Sequence, residues 1–139
     1  MCDLHDFPAR DGENVIDWGK TSDDYSAFRP GPPPSFYSRL SALGVGLPQQ
    51  LILDLGTGTG VLARQFARQG AVVTGVDLSE RQIASARQLA AEEGLDVEFV
   101  VGRAESLPWT TAKFDVATAN QCWLYFDKAK TNRELRRVL

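Results

Sequence analysis

The sequence predicts an α/β fold, with a parallel β-sheet that is covered by helices on both faces. Apolar runs of strand length alternate along the chain with segments of helical periodicity, an order typical of parallel sheets. Right-handed crossovers between such strands place helices on both sides of the sheet. A glycine-rich loop at 56–60 follows the first apolar run and opens a helix. Because ligands bind beyond the carboxyl ends of strands in open sheets, this loop is a candidate ligand site.

The first 47 residues are predicted to form an N-terminal lid or extension. Residues 1–28 are polar and irregular. The three consecutive prolines at 32–34 exclude a helix interior or a strand ladder and predict a stiff, extended connector. Pro34 also suits the start of a helix, which we expect over 35–43 and which ends at Gly44 and Gly46. Residues 48–139 form the predicted ligand-binding domain.

That domain is predicted to contain four strands and three helices. Ser79 and Gln82 have the spacing of a capping box at the start of the second helix. Gly70 and Gly94 stop the first two helices. The predicted strands are 51–55, 71–76 with Asp77 at its end, 97–101 and 114–119; the predicted helices are 60–69, 79–93 and 127–138.

The bulk composition argues against several kinds of partner. The net charge is −3 and no block of like charge dominates, so we expect no nucleic-acid partner, while RNA as a substrate stays open. No apolar run is long enough to span a bilayer, and the N-terminus lacks the pattern of a signal peptide. The two cysteines have no metal or redox spacing, so no metal site is predicted and a cytoplasmic location is expected.

The residues around the glycine loop suggest which ligand it takes. A dinucleotide fingerprint needs a third glycine where Val61 stands. Asp54, two residues before Gly56, would repel a pyrophosphate but suit a cation. S-adenosylmethionine carries an ammonium and a sulfonium and no phosphate, and Asp77 at the end of the second strand is placed to accept hydrogen bonds from its ribose. The alternative is a bare turn with two carboxylates that cap helices.

These segments resemble the motifs of class I S-adenosylmethionine-dependent methyltransferases. The run LDLGTGTG at 53–60 is similar to their first motif, and VDLS at 76–79 to their acidic second-strand motif. The resemblance is strongest to the small-molecule branch, type 11, which includes ubiquinone- and menaquinone-biosynthesis-like enzymes. The other matching segments are 25–31 before the domain, the adenine-side loop at 102–109, and 114–116 and 134–139 around the fourth strand and its following helix. The implied fold is a Rossmann-like methyltransferase sheet.

The resemblance implies a role for each of several residues around the methionine part of the cofactor. Asp54 lies near the methionine part, and Asn120 and Gln121 face its amino end. Arg29 pairs with its carboxylate as the lid closes. The remaining residues on this side are Gly56, Thr57 and Gly58, which supply backbone contacts, and Tyr25, which folds over the site. Ordinary loop residues are the alternative for Asn120 and Gln121, and a solvated tail is the alternative for the lid.

On the nucleoside side, the resemblance implies that Asp77 holds the ribose and Leu78 packs on the adenine. Ala104 offers its backbone N–H to an adenine nitrogen. Relatives carry an aspartate before that alanine, where this chain has Arg103. Glu105 either replaces that aspartate or is a carboxylate in the first turn of a helix.

The expected activity is methyl transfer from S-adenosylmethionine to a small-molecule acceptor. The acceptor pocket would be lined by Trp123, Tyr125 and Phe126, or these would pack as an ordinary turn. No general base is evident. Two alternatives remain: a non-catalytic binding or interaction module, and a nicotinamide-dependent oxidoreductase, which Val61 and Asp54 disfavour.

The family pattern continues past the point where this chain ends. Relatives proceed from Arg-Val-Leu into a fifth strand and a final antiparallel pair, so we expect a sheet truncated after the fourth strand and its following helix. The fourth strand would then be an uncovered, apolar edge. Such an edge favours pairing with another copy of the chain.

Overall fold

The computed structural model describes residues 10–11, 14–15 and 31–139. Strands β1 (Arg10–Asp11) and β2 (Asn14–Val15) pair antiparallel in a small ladder, so the prediction that residues 1–28 are irregular is wrong at these positions. Tyr25 and Arg29, the predicted lid residues, lie outside the described residues.

The main sheet has four parallel strands in the order β5-β4-β3-β6. Its strands are β3 (Leu51–Leu55), β4 (Val72–Asp77), β5 (Glu98–Val101) and β6 (Val116–Ala119). The helices are α1 (Pro34–Ala42), α2 (Val61–Arg68), α3 (Glu80–Glu92) and α4 (Lys128–Val138), with a short 3₁₀ helix at Trp123–Tyr125. The predicted α/β class, the four strands and the helices are confirmed.

The largest difference in boundaries is at β6, which begins two residues later than predicted. The backbone N–H groups of Lys113 and Phe114 donate to the carbonyl of Val138, at 2.8 and 3.0 Å, instead of joining the ladder. Asp115 then donates to Leu51 at 2.8 Å, where the parallel pairing with β3 starts. The end of α4 therefore decides where this strand begins.

Helices cover both faces of the sheet, as the alternation of side chains along β3 requires. Ile52 points into a core formed with α1, α2 and α3, in which Phe66 is fully buried. Tyr37 of α1 packs edge-on against Phe66, with ring centroids 5.9 Å apart. Leu53 and Leu55 point to the opposite face, where α4 and the segment after β5 cover them. The carboxyl edge between these two cores is where the glycine loop emerges.

The first helix packs into the main core although it precedes the predicted domain boundary at residue 47. That boundary stays a prediction. Among the described residues, no helix is long and apolar enough to cross a membrane, and no cluster of three or more His, Cys, Asp or Glu side chains is placed to hold a metal ion.

Candidate functional site

The glycine loop between β3 and α2 has a conformation that needs glycine. Gly56 has a φ of +61° and Gly60 a φ of +78°, in the region that other residues rarely adopt. A Cβ on Gly60 would lie 2.7 Å from the Phe99 ring, and a Cβ on Gly56 would lie 2.7 Å from the Cys122 sulfur. The loop is therefore packed closely between β5 and the segment that follows β6.

Asp77, at the end of β4, holds this loop in place. One carboxylate oxygen accepts the backbone N–H of Gly58 at 2.9 Å, and the other accepts that of Ser79 at 2.9 Å. Ser79 in turn caps α3, since its hydroxyl accepts the backbone N–H of Gln82 at 3.3 Å. Burial raises the pKa of the Asp77 carboxyl above its usual value. This carboxylate thus joins the loop and a helix N-terminus.

Asp54 is a buried carboxylate in the floor of the site, with only 3% of its surface exposed. It accepts the hydroxyls of Thr57 at 2.8 Å and of Thr118 at 2.6 Å. Burial raises the pKa of Asp54 to about 6, and the negative charge of Asp77 acts in the same direction; the two hydroxyls oppose the shift. Ionised Asp54 is therefore a desolvated anion whose energy a bound cation would lower.

A cavity of about 370 Å³ opens above these residues. It brings together six of the predicted site residues, and it adds five residues that the sequence analysis missed. The predicted ones are Asp54, Gly56, Thr57, Gly58, Asn120 and Gln121; the missed ones are Gly31, Pro32, Phe36, Val61 and Leu62. These five residues carry no polar side-chain group, so nothing in the sequence marks them as cavity-lining, although Gly31, Pro32 and Val61 belong to segments with a predicted structural meaning. None of the described lining residues is a lysine or an arginine.

None of the predicted adenine-side residues Leu78, Ala104 and Glu105 lines the cavity, and Leu78 directly follows Asp77 in the chain. The backbone N–H of Gly102 donates to the Asp77 carbonyl at 2.9 Å, which places the segment after β5 beside the end of β4. Leu78 is exposed over 57% of its surface, and Ala104 is buried. Leu78 therefore offers an exposed apolar surface directly after Asp77.

Glu105 has a partner that the sequence did not indicate. Residues 103–106 form a turn closed by a bridge between Arg103 and Ser106, not a helix, so Glu105 is not a helix first-turn carboxylate. Its Oε1 accepts the backbone N–H of Asp127 at 3.0 Å. Its role toward adenine stays a prediction.

The segment after β6 borders the loop from the other side. Gln121 has a φ of +63°, a strained value for a non-glycine residue. Cys122 follows it and donates its S–H to the Leu55 carbonyl at 3.2 Å. Burial, with the charges of Asp54 and Asp77, raises the pKa of the Cys122 thiol to about 12, so this thiol is protonated and is not a nucleophile.

The three aromatic residues predicted to line an acceptor pocket do not line this cavity. Phe126 packs against the core under α4, and its ring meets that of Trp123 edge-on at 6.1 Å. Tyr125 is exposed. Their role toward an acceptor therefore stays a prediction.

A glycine loop between two acidic strand positions, at the carboxyl edge of a parallel sheet, defines a nucleoside-binding α/β domain. Residues 52–139 match the family model described as "Methyltransferase domain". The chain belongs to this family, and S-adenosylmethionine is the cofactor that the family and the fold imply.

Similarity to individual proteins agrees with this assignment. The chain is 42% identical over 74 residues to the ubiquinone biosynthesis O-methyltransferase of Azoarcus sp. (strain BH72), covering 52% of this chain and 32% of that protein. It is 44% identical over 68 residues to the protein of the same name from Nitrosococcus oceani, covering 48% of this chain and 29% of that one. The chain thus spans about a third of the length of the curated relatives it matches.

Solved structures show the same fold. A putative sarcosine dimethylglycine methyltransferase from Galdieria sulphuraria is 27% identical, with a TM-score of 0.70 over 76% of this chain and 40% of that one. A putative S-adenosyl-L-methionine-dependent methyltransferase from Methanococcus maripaludis has a TM-score of 0.77 at 21% identity, over 91% of this chain and 62% of that one.

Proposed function

We propose that this protein transfers a methyl group from S-adenosylmethionine to a small-molecule acceptor. The observation that carries the proposal is the pair Asp54 and Asp77 on either side of a tight glycine loop, beside a cavity of about 370 Å³. Cavities of this order accommodate small ligands. The buried Asp54 and the absence of basic side chains from the described lining suit a cationic ligand without phosphates.

Each predicted site residue has a proposed part in holding the cofactor. Asp54 faces the ammonium group, and Asp77 accepts the ribose hydroxyls while it keeps its two backbone contacts. The methionine part contacts Gly56, Thr57, Gly58, Asn120 and Gln121. The adenine contacts Leu78, Ala104 and Glu105. The other two predicted cofactor residues, Tyr25 and Arg29, lie outside the described residues.

When bound, S-adenosylmethionine supplies a methyl group that its sulfonium already activates. The chain's own contribution is then to orient the acceptor and exclude water. Phe36, Val61 and Leu62 supply an apolar wall for that purpose. Among the described lining residues only Asp54 is titratable, and its carboxylate already accepts hydrogen bonds from two hydroxyls. The described lining therefore offers no evident general base, which supports an acceptor atom that is nucleophilic or easily ionised.

Calorimetry with S-adenosylhomocysteine and with NAD tests the cofactor proposal. We expect S-adenosylhomocysteine to bind more tightly, and tighter binding of NAD would overturn the proposal. Transfer of a labelled methyl group to a panel of phenols, thiols and carbon acids then tests the reaction. Tight cofactor binding without turnover on any acceptor would favour the second candidate, a non-catalytic binding module.

We also propose a cytoplasmic location, no nucleic-acid partner and self-association of the isolated chain. The two cysteines without metal or redox spacing support the cytoplasmic location. The net charge of −3 supports the absence of a nucleic-acid partner. Strand β6 supports the third. Within the described part of the chain β6 pairs with β3 alone, and its four side chains are half-buried.

A further inference from the structure

Two charged residues of α4 form hydrogen bonds with the backbone of the irregular segment that follows β5. One oxygen of Glu134 accepts the backbone N–H of Leu107 at 2.7 Å. Arg137 donates to the carbonyl of Leu107 at 3.0 Å and also to that of Trp109. Its guanidinium donates as well to the Glu134 carboxylate, with Nε 3.0 Å from Oε1. The pair therefore binds both the donor and the acceptor groups of this backbone.

The ion pair keeps Glu134 charged. Hydrogen bonding from Arg137 holds the pKa of the Glu134 carboxyl below its usual value, and the Leu107 N–H acts in the same direction. A charged acceptor and a planar guanidinium make stronger and more directional hydrogen bonds than neutral groups do. These hydrogen bonds therefore fix the position of the backbone at Leu107 and Trp109 relative to α4.

Two further contacts tie the same segment to α4. Near the start of the helix, Glu105 accepts the backbone N–H of Asp127. At its end, the carbonyl of Arg137 accepts the N–H of Ala112 at 3.0 Å. Residues 102–113 contain neither a helix nor a regular strand, so these bonds to α4 supply the order that secondary structure supplies elsewhere.

This segment carries two of the residues that are predicted to contact the adenine. It starts at Gly102, which is bonded to Asp77, and its first turn carries Ala104 and Glu105. Leu107, which the ion pair holds by both its N–H and its carbonyl, is buried directly after that turn. A displacement of Leu107 would therefore move the turn relative to Asp77.

We propose that Glu134 and Arg137 are positioning residues that set the turn at 103–106 beside Asp77 and thereby determine selectivity for the base of the bound nucleoside. The inference rests on the proposed function, because it assumes that the nucleoside of the cofactor lies over Asp77. It assigns α4 a role in ligand recognition although no residue of α4 lines the cavity.

The test compares the affinities of S-adenosylhomocysteine and S-inosylhomocysteine, which differ only in the purine. Arg137→Lys keeps the charge but replaces three donor nitrogens by one, so it cannot reproduce all four hydrogen bonds of Arg137. Glu134→Gln keeps the shape but loses the charge. We expect each to lower the preference for adenine about ten-fold, as the loss of one well-placed hydrogen bond would.

Glu93→Gln is the matched control. Glu93, the C-cap residue of α3, bridges Arg64 and Arg68 of α2, so the substitution also disrupts an ion pair, but among helices that pack on the opposite core from Leu107. It should lower the melting temperature and leave the purine preference unchanged.

Two results would overturn the inference. If Arg137→Lys and Glu134→Gln lower only the melting temperature, as Glu93→Gln does, the ion pair is structural and the proposed function stands. If the unmodified protein binds neither ligand, the proposed function fails and the inference fails with it.

Discussion

Replacing Asp54 by asparagine should make the ligand-free protein more stable and the cofactor complex weaker. The buried carboxyl has a pKa of about 6, against 3.8 for an ordinary aspartate. The folded state therefore holds the proton more tightly than the unfolded state does. The stability that the protonated form contributes is complete below pH 4 and is lost as the pH rises through 6.

The size of the effect follows from that difference. At neutral pH, ionisation of this one buried group costs about 3 kcal/mol of folding free energy. Asparagine removes the charge and keeps the shape, but its amide must donate where a carboxylate accepted. The hydroxyls of Thr57 and Thr118 can rotate to accept, so we expect a net gain of about 1–3 kcal/mol.

Urea unfolding at pH 7.5 and pH 4.5 measures this gain. The stability advantage of Asp54→Asn should be large at pH 7.5 and small at pH 4.5, while Asp96→Asn, at an exposed position, should change little. Affinity for S-adenosylhomocysteine should fall by about 1–3 kcal/mol, because the ammonium loses its anionic partner. A variant less stable than the original at pH 7.5, or an advantage equal at both pH values, would refute the reasoning.

Three further substitutions or measurements follow from the site and the sheet. Asp77→Ala should weaken S-adenosylhomocysteine binding by about 1–3 kcal/mol, because the ribose hydroxyls lose their acceptor. It should lower the unfolding free energy by a similar amount, because two backbone N–H groups lose theirs. Unchanged affinity by calorimetry would exclude a ribose contact. Gly56→Ala should destabilise the protein by about 2–4 kcal/mol, since its Cβ would meet Cys122, and a double-mutant cycle with Cys122→Gly should show coupling; strict additivity would contradict the contact. The isolated chain should self-associate in sedimentation experiments through the edge of β6, and a stable monomer at high concentration would count against it.

The sequence alone is sufficient for the strands of the main sheet, the four α-helices and the position of the glycine loop, but it does not indicate β1, β2 or the short 3₁₀ helix. Apolar runs and helical periodicity are local properties, so the strands and helices were predicted within about two residues. Asp54, Gly56 and Asp77 were predictable because glycine turns and strand-end acids have local causes. The same reasoning placed Ser79 as the cap of α3, which the structure confirms.

Only the tertiary structure decided which distant residues complete the site. The order β5-β4-β3-β6 places Thr118 opposite Asp54, which is 64 residues away in the chain. The hydroxyl of this strand threonine therefore donates a hydrogen bond to the buried carboxylate. The same packing gives Glu105 its partner Asp127 and brings Glu134 to Leu107. These contacts depend on strand order and register, which are set by the burial of whole faces and leave no trace in any one segment. The sequence therefore determines the position of each carboxylate along the chain, and the packing determines which donor it accepts a hydrogen bond from.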